Sequence, residues 1–207
     1  KKVLRLMKKY NLLSRTRKKN PYKQIAKATQ EHRSLPNILS RNFSWVTPLQ
    51  KLWTDISYLH YNGTRAYISI LKDMVTWEII SHKISSNLSI GFVLDTIQDA
   101  KKKLQRWSLI QSDQWFHYTH PSYQYLLKNI WVVQSMSRRW NCLDNAPTES
   151  FFGHMKDEID ISCCKSFNEL VMYMKGYILH YNYKRPQWSR KKMTPVEYRN
   201  HLLQIQR

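Results

Sequence analysis

The chain is poor in acidic residues, cysteine, long apolar runs and glycine. Only 14 Asp and Glu stand against 34 Lys and Arg, a formal charge of +20 over 207 residues. That excess is far beyond what solubility needs and points to a polyanionic partner. The three cysteines, Cys142, Cys163 and Cys164, are an odd number without a CxxC pair. They exclude a disulfide framework and a zinc finger, and they suit a reducing, cytoplasmic setting. The eight histidines form no HExxH pattern. No apolar run approaches the roughly 20 residues of a membrane span, and no signal-peptide pattern is visible, so no membrane partner is expected. Glycine occurs four times, against an average of roughly 7%, while tryptophan occurs eight times.

The positive charge is concentrated at the two ends. Residues 1–42 hold 13 Lys and Arg with one acid, Glu31, and residues 184–207 hold 7 with one acid, Glu197. The stretch between is nearly balanced. Aromatic and apolar residues (Tyr10, Leu12, Leu13, Tyr22) interleave with the basic ones, which favours nucleic acid over a merely solvated tail. The chain opens without Met inside a basic helical pattern. Residues 1–20 therefore read as the end of a preceding helical DNA-binding module, and 21–48 as a basic linker after Asn20-Pro21.

Strand signals follow. Leu52–Tyr61 and Arg65–Asp73 read as a hairpin joined at Asn62-Gly63, and Trp77–Ile84 as a third strand. Leu88–Gln105 carries Ile90, Val93, Leu94, Ile97, Ala100 and Leu104 at helical spacing. Leu109–Ser112 is a short strand, Pro121–Lys128 a helix and Ile130–Gln134 a strand. A helix begins near Asn145–Pro147, with Pro suited to its first turn, and Phe167–Tyr183 is a long helix. This order implies a mixed sheet with helices on both faces, an α/β class.

Asp55, Asp113 and Glu149 each stand beside apolar residues, where an unpaired carboxylate is costly to bury and a bound cation would neutralise it. Asp113 and Glu149 are separated by 35 residues. Asp73 reads as a turn-supporting residue and Asp144 as a helix N-cap. Lys156 shares a helix face with Glu149. It reads equally as a DNA-phosphate contact or as a solvent lysine paired with Asp160.

The Asp-Asp-35-Glu spacing resembles that of DDE transposases and retroviral-type integrases. Ser112-Asp113-Gln114 is similar to their second-Asp loop. The block Arg138-Arg139-Trp140-Asn141-Cys142-Leu143-Asp144-Asn145-Ala146, followed by Glu149-Ser150-Phe151-Phe152, resembles the lead into the catalytic Glu of bacterial insertion-sequence transposases. Tyr181-Asn182, Lys184-Arg185-Pro186, Thr194-Pro195 and Tyr198-Arg199 are similar to their C-terminal element.

The resemblance implies a ribonuclease H-like mixed five-stranded sheet flanked by helices, with basic helical N- and C-terminal extensions. The integrase-like core is then 49–184 and the basic C-terminal extension 185–207. It implies a two-metal polynucleotidyl transferase in which Asp55, Asp113 and Glu149 hold two Mg²⁺ ions, with Mn²⁺ as a substitute. Its action is nicking of element ends followed by strand transfer into target DNA. Arg138, Arg139, Lys156, Lys184, Arg185, Lys18 and Lys19 are the expected DNA contacts. The expected partners are DNA and further copies of the chain in the DNA complex, in a bacterial cytoplasm at the nucleoid. The alternatives are a catalytically decayed DNA-binding remnant and a nuclease of the same fold without strand transfer.

The chain departs from the resembled pattern in two ways. Gln111 stands where the family has His before Ser-Asp. Trp53, Trp115, Trp131, Trp140 and Trp77 stand where it has Gly. UGA is read as Gly in some bacterial codes and as Trp in others, so translation with the wrong code would produce this pattern. Decay, or stacking of Trp on an unpaired base, are the other readings. Trp115 is expected to strain the loop beside Asp113.

Overall fold

A computed structural model describes residues 2–10, 34–40, 47–138 and 146–205, with the side chains of 4, 8 and 146–149 outside the description. It divides into two units, Lys1–His32 and Arg33–Arg207. In the first, Lys2–Lys9 form helix α1, on which Val3 and Leu6 are exposed.

The second unit is built on one sheet. Strands β1 (Lys51–Tyr61) and β2 (Thr64–Asp73) form an antiparallel hairpin. Its turn residues Asn62 and Gly63 have φ of 41° and 69°, the positive pair that suits a right-twisted two-residue hairpin. Strand β3 (Ile79–Ser85) adds antiparallel to β2. Helix α2 (Ile90–Ala100) crosses over to β4 (Leu109–Ser112), which lies parallel to β1. The chain then forms α3 (Phe116–Thr119), α4 (Pro121–Asn129) and β5 (Val133–Met136), parallel to β4. The sheet order is β3-β2-β1-β4-β5. Helices α5 (Ala146–Glu158), α6 (Phe167–Tyr183) and α7 (Pro195–Ile205) complete the unit.

Three boundaries differ from the sequence reading, each for a local reason. Strand β3 starts at Ile79 because the Trp77 N–H closes a turn onto the Asp73 carbonyl at 3.1 Å. Strand β5 starts at Val133 because Ile130 and Trp131 cap α4. Helix α2 ends at Ala100, where Lys101–Lys103 form a turn. The single turn of α3 was not anticipated as a helix, and α7 falls within the C-terminal extension expected to be helical.

Side-chain alternation along the strands divides the core in two. On one face Leu52, Ile56, Leu71 and Ile110 pack with Phe92, Val93 and Ile97 of α2, Tyr118 of α3, and Tyr123 and Leu127 of α4. On the other, Leu59, Ala66, Ile68 and Ile70 pack with Phe151, Phe152 and Met155 of α5 and with Leu170, Met174 and Tyr181 of α6.

The C-terminal elements are tied to β3. Asn182 accepts from the Ile79 N–H and donates to the Ile79 carbonyl, both at 2.9 Å. Thr194 and Glu197 form a reciprocal cap on α7. Arg199 pairs with buried Glu78 at 2.6 Å, although burial still pushes the Glu78 carboxyl above its usual range.

Candidate functional site

Asp55 lies mid-strand in β1, opposite Ile70. It has the same parity as Leu59, so it faces the α5–α6 layer. The parallel register pairs Trp53 with Gln111. Asp113 comes two residues on, just past the end of β4, as Asp55 comes two residues after Trp53. Each carboxylate is oriented by a nearby backbone N–H: Ile56 donates to Asp55 Oδ1 at 2.8 Å, and Trp115 to Asp113 Oδ1 at 2.9 Å. Burial pushes the Asp113 carboxyl above its usual range, and the Trp115 N–H opposes this only in part. Tyr118 connects the two acids electrostatically. Its hydroxyl is fully buried, 3.5 Å from Thr54 Oγ1. Burial first, then the charges of Asp55 and Asp113, push it well above the ordinary phenol range.

Glu149 is the fourth residue of α5; its side chain lies outside the described residues. The helix itself is seated on the Asp55 face, because Phe151, Phe152 and Met155 pack with Leu59, Ile68 and Ile70. Ile70 is the cross-strand partner of Asp55. Among the described residues, no three His, Cys, Asp or Glu converge. The donor set is nevertheless that of a hard cation. Two carboxylates, one in β1 and one just past the end of neighbouring β4, both act electrostatically on Tyr118, and one is desolvated enough to favour neutralisation. This suits Mg²⁺ or Mn²⁺ rather than a thiolate-seeking metal.

The expected DNA contacts are dispersed. Lys156 and Lys184 are exposed on α5 and just after α6, and Arg138 is exposed after β5. Arg185 donates to Glu158 through Nε at 2.9 and 3.0 Å and through Nη2. Burial raises Glu158, but hydrogen bonds from Arg185 and Tyr177 outweigh it and hold the carboxyl below its usual range. Arg139, Lys18 and Lys19 lie outside the described residues, as does Asp144. Asp73 supports its turn, accepting from the N–H groups of Leu49, Val75 and Thr76 and from the Thr76 hydroxyl.

The expectation for Trp115 needs correction. Its φ is −66° and ψ 155°, ordinary extended backbone, and its half-buried ring packs at 6.3 Å from Tyr58 and 5.6 Å from His117. Trp53 is buried within β1. Gln111 is fully buried, and neither of its amide atoms has a hydrogen-bond partner among the described residues.

Sequence reasoning passed over Lys72. It stands opposite Trp53 on the Asp55 face and is 3% exposed. Its Nζ lies 5.5 Å from the Phe151 ring centroid and 5.1 Å from that of Trp77. Burial, with Arg190 and Arg185 nearby, lowers its ammonium to about 7. The available signal was a Lys in phase with Ala66, Ile68 and Ile70.

An integrase core domain family model matches residues 149–203. A transposase-like protein of Haemophilus influenzae is 32% identical over 169 residues, 81% of this chain and 78% of that protein. The chain belongs to the insertion-sequence transposase family. Within that family it is 37% identical over 168 residues to the putative transposase InsK for insertion sequence element IS150 of Escherichia coli strain K12. That match takes in 80% of this chain and 59% of the relative's length. This family member also shares its fold with retroviral integrases. A chain in the structure of the simian T-cell lymphotropic virus intasome in complex with PP2A regulatory subunit B56 gamma matches with TM-score 0.62 at 14% identity, over 82% of this chain and 59% of that one. The HTLV-2 integrase catalytic core domain, solved in complex with magnesium, matches with TM-score 0.59 at 10% identity, over 74% and 97%. The sheet is thus of the ribonuclease H-like type.

Proposed function

We propose that this chain is the catalytic part of a DNA transposase that nicks the ends of its element and joins the freed 3′-hydroxyl to target DNA. One observation supports the reading: Asp113 follows β4, which lies parallel to the Asp55 strand with Trp53 opposite Gln111, and α5, which bears Glu149, is seated on the Asp55 face. Asp55, Asp113 and Glu149 are the residues that would hold two Mg²⁺ ions. When bound, such ions supply activation of the attacking oxygen and stabilisation of the leaving oxygen. The protein's own part is positional. The Ile56 and Trp115 N–H groups orient the two aspartates, and Tyr118 and Thr54 fill the space behind them, which keeps water from that side. The excess of basic residues supplies the attraction for element ends and target duplex. The working form is an oligomer on DNA, in the cytoplasm at the nucleoid.

The test is incubation of duplex oligonucleotides carrying the element's own ends, with Mg²⁺ and with chelator. Nicked and joined products with Mg²⁺, and none with chelator, support the proposal. Nicking without joining would indicate a nuclease, and DNA binding without either product a decayed remnant.

A further inference from the structure

Half of the six described tryptophans have left-handed backbone: Trp77, Trp107 and Trp131, with φ of 66°, 69° and 58°. Only a few per cent of non-glycine residues adopt this region, and bulky ones do so as outliers. Each of the three occupies a place with a specific demand for glycine.

Trp131 follows α4. Its N–H bonds the Lys128 carbonyl at 3.1 Å, and the Val132 N–H bonds the Leu127 carbonyl at 2.9 Å. That pair of bonds defines a Schellman cap with Trp131 at the position usually taken by glycine. Trp107 is the third residue of a turn closed by the Ser108 N–H on the Gln105 carbonyl at 3.1 Å. Arg106 before it has no positive φ, so the turn is of type II, which calls for glycine at that third position. Trp77 ends the loop between β2 and β3 and bonds the Asp73 carbonyl, where a left-handed residue returns the chain to its partner strand.

The side chains of Trp107 and Trp131 give little in return for this backbone, whereas Trp77 lies against Lys72 and Arg190. Trp107 and Trp131 are 63% and 52% exposed; they touch one another at 5.7 Å and lie beside Arg106. The glycines show the reverse. Only Gly63 has positive φ, while Gly91, Gly153 and Gly176 sit in helices with room for a Cβ.

We infer that positions 77, 107 and 131 are glycine positions, and that the protein made in its host carries glycine there. A gene that uses UGA for glycine yields this sequence when UGA is decoded as tryptophan. Full-length protein with glycine at these turns then arises only in hosts that read UGA as glycine, which confines movement of the element to them. Only this host restriction depends on the transposase reading.

The test uses the full chain with Trp107→Gly and Trp131→Gly made singly. Each raises Tm by about 2–4 °C, the effect of relieving one left-handed residue in a chain of this size. Trp131→Ala gains less, because alanine keeps the Cβ penalty. Trp188→Gly, at an 83% exposed residue without positive φ, gives no gain. No rise for either glycine variant, or an equal rise for Trp188→Gly, overturns the inference. Should the parent chain not fold, peptide mass spectrometry of the protein from its host decides: glycine at 77, 107 and 131 supports it, and tryptophan there overturns it.

Discussion

On one face of the sheet, Leu52, Ile56, Leu71 and Ile110 meet α2, α3 and α4 mainly through aliphatic and aromatic side chains, with the Thr54 and Tyr118 hydroxyls buried among them. On the other, the same strands present Asp55 and Lys72 among Leu59, Ile68 and Ile70, beneath α5 and α6. The first face is dominated by close packing, and its energetics are mainly those of apolar burial. The second bears the cost of desolvating charged groups, which a structural sheet would avoid. The buried acid of the first face, Asp73, is held by the N–H groups of Leu49, Val75 and Thr76, whereas Asp55 stands mid-strand in β1 near the end of β4, which fits a site that takes up a cation.

The largest expected contrast between the faces is in activity. Asp113→Asn should lower nicking by about 10³-fold or more, the scale of removing one organising group from a transition state. DNA affinity should stay within about twofold, since the basic residues remain. Gel-based cleavage and binding assays on the same preparation separate the two. Next in size is a change on the apolar face. Ile110 is fully buried in the first cluster, and Ile110→Ala should cost about 2–5 kcal/mol of stability. It should reduce activity only as far as the folded fraction falls, as read by denaturant titration beside the cleavage assay. Equal loss of specific activity per folded molecule in both variants would erase the distinction between the faces.

The smallest effect, taken per pH unit, concerns Lys72. Its folded-state ammonium is lowered to about 7, whereas the unfolded chain keeps that proton to about 10.4. Between these values the unfolded state binds more protons, so stability should rise with pH across that window. The slope attributable to this group is at most about 1.4 kcal/mol per pH unit. Lys72→Met should remove that part of the rise, and parallel pH profiles of wild type and variant would refute it.

Much of this organisation was legible in the chain. The hairpin at Asn62-Gly63, the strand at Leu109–Ser112 and the helix Phe167–Tyr183 were readable because periodicity and turn chemistry agree there. Asp55 and Asp113 were singled out through the motif resemblance, but the parallel register that sets β4 beside β1 is encoded by no local pattern. Boundaries near Trp77 and Trp131 were misplaced because tryptophan reads as a strand former, whereas the backbone there turns. Lys72 was missed because it sits at the end of β2, where a charge ordinarily marks an exit to solvent. It is buried because Phe151 of α5 and Trp77 close over it. Asn182 and Arg199 belonged to recognised C-terminal motifs, yet their roles, holding Ile79 and Glu78 of the β3 region, arise from contacts more than 100 residues apart.

The account rests on a cation shared by Asp55 and Asp113. Titration of the full chain with Mn²⁺, followed by electron paramagnetic resonance of the free ion, tests it without requiring DNA or turnover. Wild type should take up Mn²⁺, and Asp55→Asn and Asp113→Asn should each weaken uptake by about tenfold or more, the effect of about 1.4 kcal/mol. Unchanged Mn²⁺ uptake in both variants, with the fold intact, would contradict it.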